Sequence, residues 1–354
     1  MAKVLMKGNE VIAEAAIHAG CKYFFGYPIT PQSELVAYMA RRLPEVGGLF
    51  LQAESEVAAI NMVYGAAGTG VRVMTSSSSP GFSLKQEGIS YLAGAELPAV
   101  IVNVVRGGPG LGNIQPAQSD YFQVTKGGGH GDYHTPVLAP ASLQEIVDLT
   151  RESFAIADRY RTPVILMGDG MLGQMMEPVE FSREMQSDFP PKEWATTGTR
   201  GDGKRRVITS LQLDAETLEQ RNIHLQKKYA EIVKNEVRYE TYLTEDADYI
   251  ITAFGTVARI AMNAIDRARK QGIKVGLIRP ISLWPFPVLP FHETRDRVKG
   301  YLSVEMSAGQ MIEDVRLAVE GKAPVDFYGR TGGVVPTQEE IFGKITELAG
   351  RVMV

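Results

Sequence analysis

The sequence predicts an α/β fold: a parallel sheet with helices on both faces, followed by a smaller α/β unit. Three observations predict it. Runs such as "PAVIVNVV" and "TPVILMG" are apolar at successive positions, as strands covered on both faces are. Segments with helical periodicity separate these runs. The alternation breaks in a polar stretch and then restarts, which sets two units.

Each element follows in order. "NEVIAEAAIHAG" carries apolar residues at i, i+3, i+4 spacing and ends in glycine, so it predicts a helix. "KYFFGYP" predicts a buried strand and "PQSELVAYMARRL" a helix. "GLFLQAE" is the next strand, and "SEVAAINMVYGAAGTG" a helix of small residues behind a Ser cap. "VRVMTSS" (strand), "FSLKQEGISYLAGAE" (helix) and "PAVIVNVV" (strand) continue the pattern. The stretch from Gly107 to Pro136 is glycine-rich and aperiodic, but its Leu111, Ile114, Tyr121, Phe122 and Tyr133 predict an ordered loop. "SLQEIVDLTRESFAIADRY" is a capped helix and "TPVILMG" a strand. Polar residues then predominate, with a charged, exposed helix in "DAETLEQRNIHLQKKYAEIVKNEV". The pattern resumes with "DYIITAFG", "TVARIAMNAIDRARKQG", "IKVGLIRP", "GYLSVE", "GQMIEDVRLAVEG" and "PVDFYG". The expected division is residues 1–185, a linker with the charged helix over 186–246, and a second domain over 247–354.

Composition excludes several function classes. The net charge is −4 without a dense Lys/Arg run, so nucleic-acid binding has no electrostatic support. No apolar run approaches the ~18 residues of a membrane span, and the N-terminus lacks a signal-peptide pattern, so a cytoplasmic protein is expected. The single cysteine, Cys21, forms no intramolecular disulfide and cannot ligate an iron–sulfur cluster, which takes about four thiolates. The histidines show no metal-ligand spacing, and no metal site is expected in this chain.

The unusual residues sit where strands end, which is where open parallel sheets bind ligands. "GYPITP" holds Thr30 between Pro28 and Pro31, two residues that stiffen the backbone. "QAESE" offers Glu54 and Glu56, either a helix N-terminal acid or a carboxyl tuned for proton transfer. "TSSSSPG" brings Ser76 to Ser79, as a capped turn or a polar seat. Arg106 ends a buried strand, as an ion-pair partner or a bidentate carboxylate anchor. Asp169 in "GDG" reads as a turn residue, since no Asn follows it about thirty residues on. Glu305 and Gln310 in "SVEMSAGQM" read first as a capped strand-to-helix turn.

Several stretches together resemble the alpha subunit of 2-oxoacid:ferredoxin oxidoreductases: "GYPITPQSE", "QAESEVAAINMVYGAAGTG", "TSSSSPGFSLKQEGISYLAGAELPAVIVNVVRGGPGLG", "IQPAQSDYF", "KGGGHGDY" and "ITAFGTVAR…VGLIRPISLWPFP". The likeness is greatest to separate-subunit forms acting on 2-oxoisovalerate or 2-oxoglutarate. It implies a domain binding the aminopyrimidine half of thiamine diphosphate, plus a transketolase-C-terminal-like domain. It also implies a beta subunit holding the diphosphate, Mg²⁺ and an Fe4S4 cluster, with gamma and ferredoxin-like delta subunits in a dimer of heteromers. The implied reaction is CoA-dependent oxidative decarboxylation of a 2-oxoacid to acyl-CoA and CO₂, with ferredoxin as electron acceptor.

In that resemblance Glu56 matches the glutamate that shares a proton with the pyrimidine N1′. Thr30 and Arg106 match contacts to the substrate carboxylate. Pro28, Ser78 and Ser79 are expected beside the cofactor, with Ser77 and Asn113 near them. Two other classes remain at this stage: an iron-free thiamine-diphosphate subunit of transketolase or 2-oxoacid dehydrogenase type, and a non-catalytic α/β binding subunit.

Overall fold

A computed structural model describes residues 3–181, 189, 191–199 and 201–350. Residues 1–2 and 182–185 of the expected first domain, 186–188, 190 and 200 of the expected linker, and 351–354 of the second unit lie outside the described residues. The chain opens with β1 (Val4–Lys7), α1 (Gly8–His18), β2 (Tyr23–Gly26), α2 (Ser33–Glu45) and β3 (Leu49–Gln52). It continues through α3 (Glu56–Gly68), β4 (Val73–Ser77), α4 (Ser79–Leu84), α5 (Gln86–Gly94) and β5 (Ala99–Val105). Next come α6 (Tyr121–Thr125), β6 (Val137–Leu138), α7 (Leu143–Tyr160), β7 (Pro163–Asp169), α8 (Gly170–Gln174) and β8 (Met176–Val179). The remainder is α9 (Ala215–Asn235), β9 (Tyr239–Tyr242), β10 (Tyr249–Thr252), α10 (Gly255–Lys270), β11 (Val275–Pro280) and β12 (Ser282–Trp284). It ends with α11 (Leu289–His292), β13 (Gly300–Glu305), α12 (Met311–Val319), β14 (Val325–Gly329) and α13 (Gln338–Gly350).

The first sheet runs β12-β6-β7-β5-β4-β2-β3, parallel except where β12 meets β6. Its central strands β4 and β5 are buried at every residue, and β5 accordingly reads as a nearly continuous apolar run. Helices α1, α2 and α7 pack one face around Val11, Phe24, Leu35 and Phe154. The other face shares a core with α9 and the second unit, through Phe82, Tyr121, Tyr229, Phe254 and Phe291. The second sheet runs β14-β13-β10-β11-β9, with only β9 antiparallel.

Some expectations change. The helix read over "FSLKQEGISYLAGAE" is two, α4 and α5, meeting at Lys85. Helix α9 is not wholly exposed: Leu225, Tyr229 and Ile232 form a buried stripe on the shared core. Strands β1, β6, β8, β9 and β12 had no sequence signal of their own. They have 2–4 residues, and β9 lies within the stretch read as linker. β12 crosses from the second half of the chain to extend the first sheet.

The loop after β5 docks the two halves. The Gln118 side chain donates to Phe254 O at 2.9 Å and accepts from Met306 N at 3.0 Å. Tyr121 donates to Asp314 Oδ2 at 2.6 Å, and Gln310 accepts from Phe122 N and donates to Ser119 O. Replacing Gln118 with Leu strands a buried carbonyl and a buried N–H. We expect it to lower the unfolding free energy by about 2–4 kcal/mol in a denaturant titration, with far-UV circular dichroism unchanged.

Candidate active site

Four consecutive strands, β5-β4-β2-β3, bring Arg106, Ser77 to Ser79, Thr30 and Glu56 to one edge of the first sheet. Ser55 caps α3, its Oγ accepting from Ala58 N at 3.1 Å. That cap turns the next residue, Glu56, inward to 6% exposure, whereas Glu54 is exposed. Burial thus separates the two acids that the local pattern left open. On α4, Gly81 runs against the carboxyl. A Cβ at Gly81 would sit 2.3 Å from both Glu56 Oε1 and Ser77 Oγ. The Ser77 and Ser78 hydroxyls are buried without a hydrogen-bond partner. Buried hydroxyls are seldom left so. With the carboxyl they form a polar seat that suits the nitrogen-bearing edge of an aminopyrimidine.

The Thr30 loop is fixed by side chains from four directions. Arg106, buried at 8% exposure, donates from Nη1 to Thr30 O at 2.9 Å and from Nη2 to Leu111 O at 3.1 Å. Its Nε has no partner. Gln32 donates to Tyr27 O and accepts from Ser76 Oγ at 2.6 Å. Asn9 and Gln174 both donate to Pro31 O. Thr30 and Pro28 are exposed at the rim. The prolines therefore have help: the loop is held chiefly by this hydrogen-bond frame.

Ser79 is committed to the protein. It donates to Asp120 Oδ2 at 2.7 Å and accepts from Arg106 N at 3.1 Å, while its own N–H reaches Asn103 Oδ1. Burial pushes the Asp120 carboxyl up, against its bonds to Ser79 and Asn103. Ser79 and Asp120 face a cleft of about 670 Å³ between the two halves, closed on the far side by Met306, Ser307 and Gln310. Asn113 lies away from Glu56, donating to Gly332 O and accepting from Gln115 N. Asp169 caps α8 through the N–H groups of Met171 and Leu172, as a turn residue does, and burial pushes its carboxyl up. Burial pushes the Cys21 thiol up to about 12, so it behaves as an apolar residue. Among the described residues no His, Cys, Asp and Glu cluster could hold a metal, and no helix is long and apolar enough to cross a membrane.

Sequence reading missed Lys85. It is fully buried, and its Nζ donates to Thr75 Oγ1 at 3.0 Å. "FSLKQE" looks like a helix surface, and only the bend between α4 and α5 turns Lys85 inward. Burial pushes its ammonium down from 10.5 to about 8, with the Glu56 charge opposing. Between pH 8 and 10.5 the unfolded chain then binds more protons at this lysine than the folded chain does. The burial cost, up to about 3 kcal/mol, is full below pH 8 and fades as pH rises to 10.5. Lys85→Met should therefore be more stable than wild type at neutral pH, with the difference shrinking through that window in paired denaturation curves.

Comparison with known proteins shows the family. Residues 14–241 match the family described as pyruvate flavodoxin/ferredoxin oxidoreductase, thiamine diphosphate-binding. Residues 247–341 match pyruvate:ferredoxin oxidoreductase core domain II. The ketoisovalerate oxidoreductase subunit VorB of Methanothermobacter thermautotrophicus is 53% identical over 350 residues, 99% of this chain and 99% of its own length. The 2-oxoglutarate synthase subunit KorA of the same organism is 36% identical over 369 residues, covering 97% and 98%. The solved 2-oxoglutarate:ferredoxin oxidoreductase from Magnetococcus marinus, with 2-oxoglutarate, coenzyme A and succinyl-CoA bound, matches 98% of this chain at a TM-score of 0.85 and 27% identity. This chain spans 65% of that one. The chain belongs to the 2-oxoacid:ferredoxin oxidoreductase family, as a subunit carrying its thiamine diphosphate-binding domain.

Proposed function

We propose that this chain is the alpha subunit of a cytoplasmic enzyme that oxidatively decarboxylates 2-oxoisovalerate, with CoA as acyl acceptor and ferredoxin as electron acceptor. The observation that carries the reading is the seat itself: a buried Glu56 beside two unpartnered hydroxyls, with Gly81 leaving room against the carboxyl. When bound, thiamine diphosphate supplies the nucleophilic carbon and the electron sink. Glu56 holds and shares a proton at the pyrimidine N1′. Ser77 and Ser78 take the polar edge of the same ring. Thr30 presents its hydroxyl at the rim, and Arg106 offers its unpartnered Nε–H, to the substrate carboxylate.

A beta subunit supplies the diphosphate and Mg²⁺ site and an Fe4S4 cluster. Gamma and ferredoxin-like delta subunits complete a dimer of heteromers. The choice of substrate has two supports. Identity to the ketoisovalerate subunit is 53%, against 36% to the 2-oxoglutarate subunit. Two cations near the site are also engaged, Arg106 at the end of β5 with backbone carbonyls and Lys85 at the α4–α5 bend with Thr75. Neither is placed to take the second carboxylate of 2-oxoglutarate, which favours a branched apolar tail.

Two outcomes are expected. In the assembled complex, Glu56→Gln loses at least about 100-fold in turnover while thiamine diphosphate still binds by calorimetry. Near-normal turnover would remove Glu56 from the proton path. In a 2-oxoacid panel read by CoA-dependent viologen reduction, 2-oxoisovalerate exceeds 2-oxoglutarate by at least about tenfold in kcat/KM, as one engaged or missing polar contact discriminates. The opposite order would overturn the substrate choice.

A further inference from the structure

The helices around Glu56 meet at two glycines. A Cβ at Gly81 would collide with the Glu56 carboxyl, and one at Gly88 would lie 2.5 Å from Ile60 Cγ2. Glu56 and Ile60 are one turn apart on α3. Gly81 and Gly88 bracket the bend between α4 and α5, and Lys85 occupies that bend. Its backbone is fixed there, with Lys85 N donating to Phe82 O and Ile89 N donating to Lys85 O. The side chain enters the seam fully buried and reaches Thr75 on β4, two residues before Ser77.

A buried ammonium with a neutral hydroxyl as its hydrogen-bond acceptor is costly. Methionine has a similar length and would fill the same space without that cost. The charge therefore needs a role that an apolar residue lacks, and the carboxyl packed against the same helix one turn before it, at Gly81, is that of Glu56. We infer that Lys85 is a positioning residue: its buried cation counterbalances the Glu56 carboxylate across the α3–α4 seam and holds it ready to exchange a proton with the cofactor ring. This inference rests on the assignment of Glu56 to the pyrimidine. Lys85 touches neither substrate nor ring; it acts through Glu56.

Removing the cation leaves a buried carboxylate without its counter-charge, so the acidic limb of the rate profile moves to higher pH. A side chain that only fills space has no such effect. The test uses the assembled enzyme as wild type, Lys85→Met, Glu56→Gln and the double variant. Three quantities are read: the pH profile of kcat, KM for the 2-oxoacid, and thiamine diphosphate affinity.

For Lys85→Met we expect an intact complex and a KM within about twofold. The acidic limb of kcat should lie about one pH unit higher, the usual effect of one nearby opposite charge. In the Glu56→Gln background, adding Lys85→Met should leave thiamine diphosphate affinity unchanged, because the charge it balances is gone. A wild-type pH profile in Lys85→Met, or equal effects of that substitution in both backgrounds, overturns the inference. Should Lys85→Met fail to assemble, Thr75→Val frees the ammonium from its tether. It should shift the same limb in the same direction by less, and an unshifted limb overturns the inference equally. If Glu56→Gln instead keeps wild-type turnover, the assignment of Glu56 fails on its own. The double-mutant cycle in denaturation stability then still decides whether the two side chains are coupled.

Discussion

The site depends on one close approach, that of α4 to the first residue of α3. Gly81 lacks the Cβ that would sit 2.3 Å from both Glu56 Oε1 and Ser77 Oγ. Because the helix can come this near, the carboxyl is shut away from water while β4 still delivers Ser77 and Ser78 to the same place. The Ser55 cap fixes where α3 begins, and therefore which of two nearby acids faces inward. A shift of one residue in that start would bring Ser55 or Val57 to the seat and leave the hydroxyls facing the wrong group. The parallel order β5-β4-β2-β3 does the rest, since it places the ends of four strands side by side.

The second half of the chain supports this edge without supplying its acid. Glu305, fully buried at the end of β13, accepts from the N–H groups of Gln310, Met311 and Ile312 and from the hydroxyls of Ser303 and Ser307. That cluster fixes the start of α12. Gln310 then grips the backbone of Ser119 and Phe122, on either side of Asp120. Asp120 holds Ser79, and Ser79 holds the backbone of Arg106. A continuous chain of hydrogen bonds thus runs from the second sheet to the arginine that clamps the Thr30 loop. Lys126 pairs with Asp314 and Tyr121 donates to the same carboxylate, which ties the loop down on α12.

Much of this was legible in the residues. Central strands such as β5 carry nearly continuous apolar runs because helices cover them on both faces, and the strand ends stand out by contrast. The local pattern leaves Glu54 to compete with Glu56, the resemblance selects Glu56, and of the two only Glu56 is buried. Other features depend on tertiary contact and left no local signal. Lys85 looks like a surface lysine until the bend at the α4–α5 junction turns it inward. Strand β12 is three residues long and gains its identity only by pairing with β6, far away in the chain. The sequence leaves Arg106 as an ion-pair partner or a carboxylate anchor and does not reveal that two of its N–H groups hold backbone carbonyls. The stiffness of "PITP" was credited to its prolines, yet Gln32, Asn9, Gln174 and Arg106 hold the loop through side-chain bonds that periodicity does not reveal.

The seat also bears on stability. Ser77 Oγ, Ser78 Oγ and Arg106 Nε are buried without partners, and each such group costs about 1–3 kcal/mol. Lys85 adds the cost of a buried cation. These penalties fall on the folded chain alone, because water satisfies the same groups when it unfolds. A ligand that supplies the missing partners removes part of the penalty on binding, so its affinity includes relief of strain already present in the protein. By linkage, the same ligand stabilises the fold in proportion to the logarithm of its concentration above Kd. At this sheet edge two unpartnered hydroxyls and a buried carboxyl lie together, an arrangement that suits a polar ring. On the proposed role, the hydroxyls need not reorient through water to meet the ring, and Glu56 is already desolvated where its proton would move.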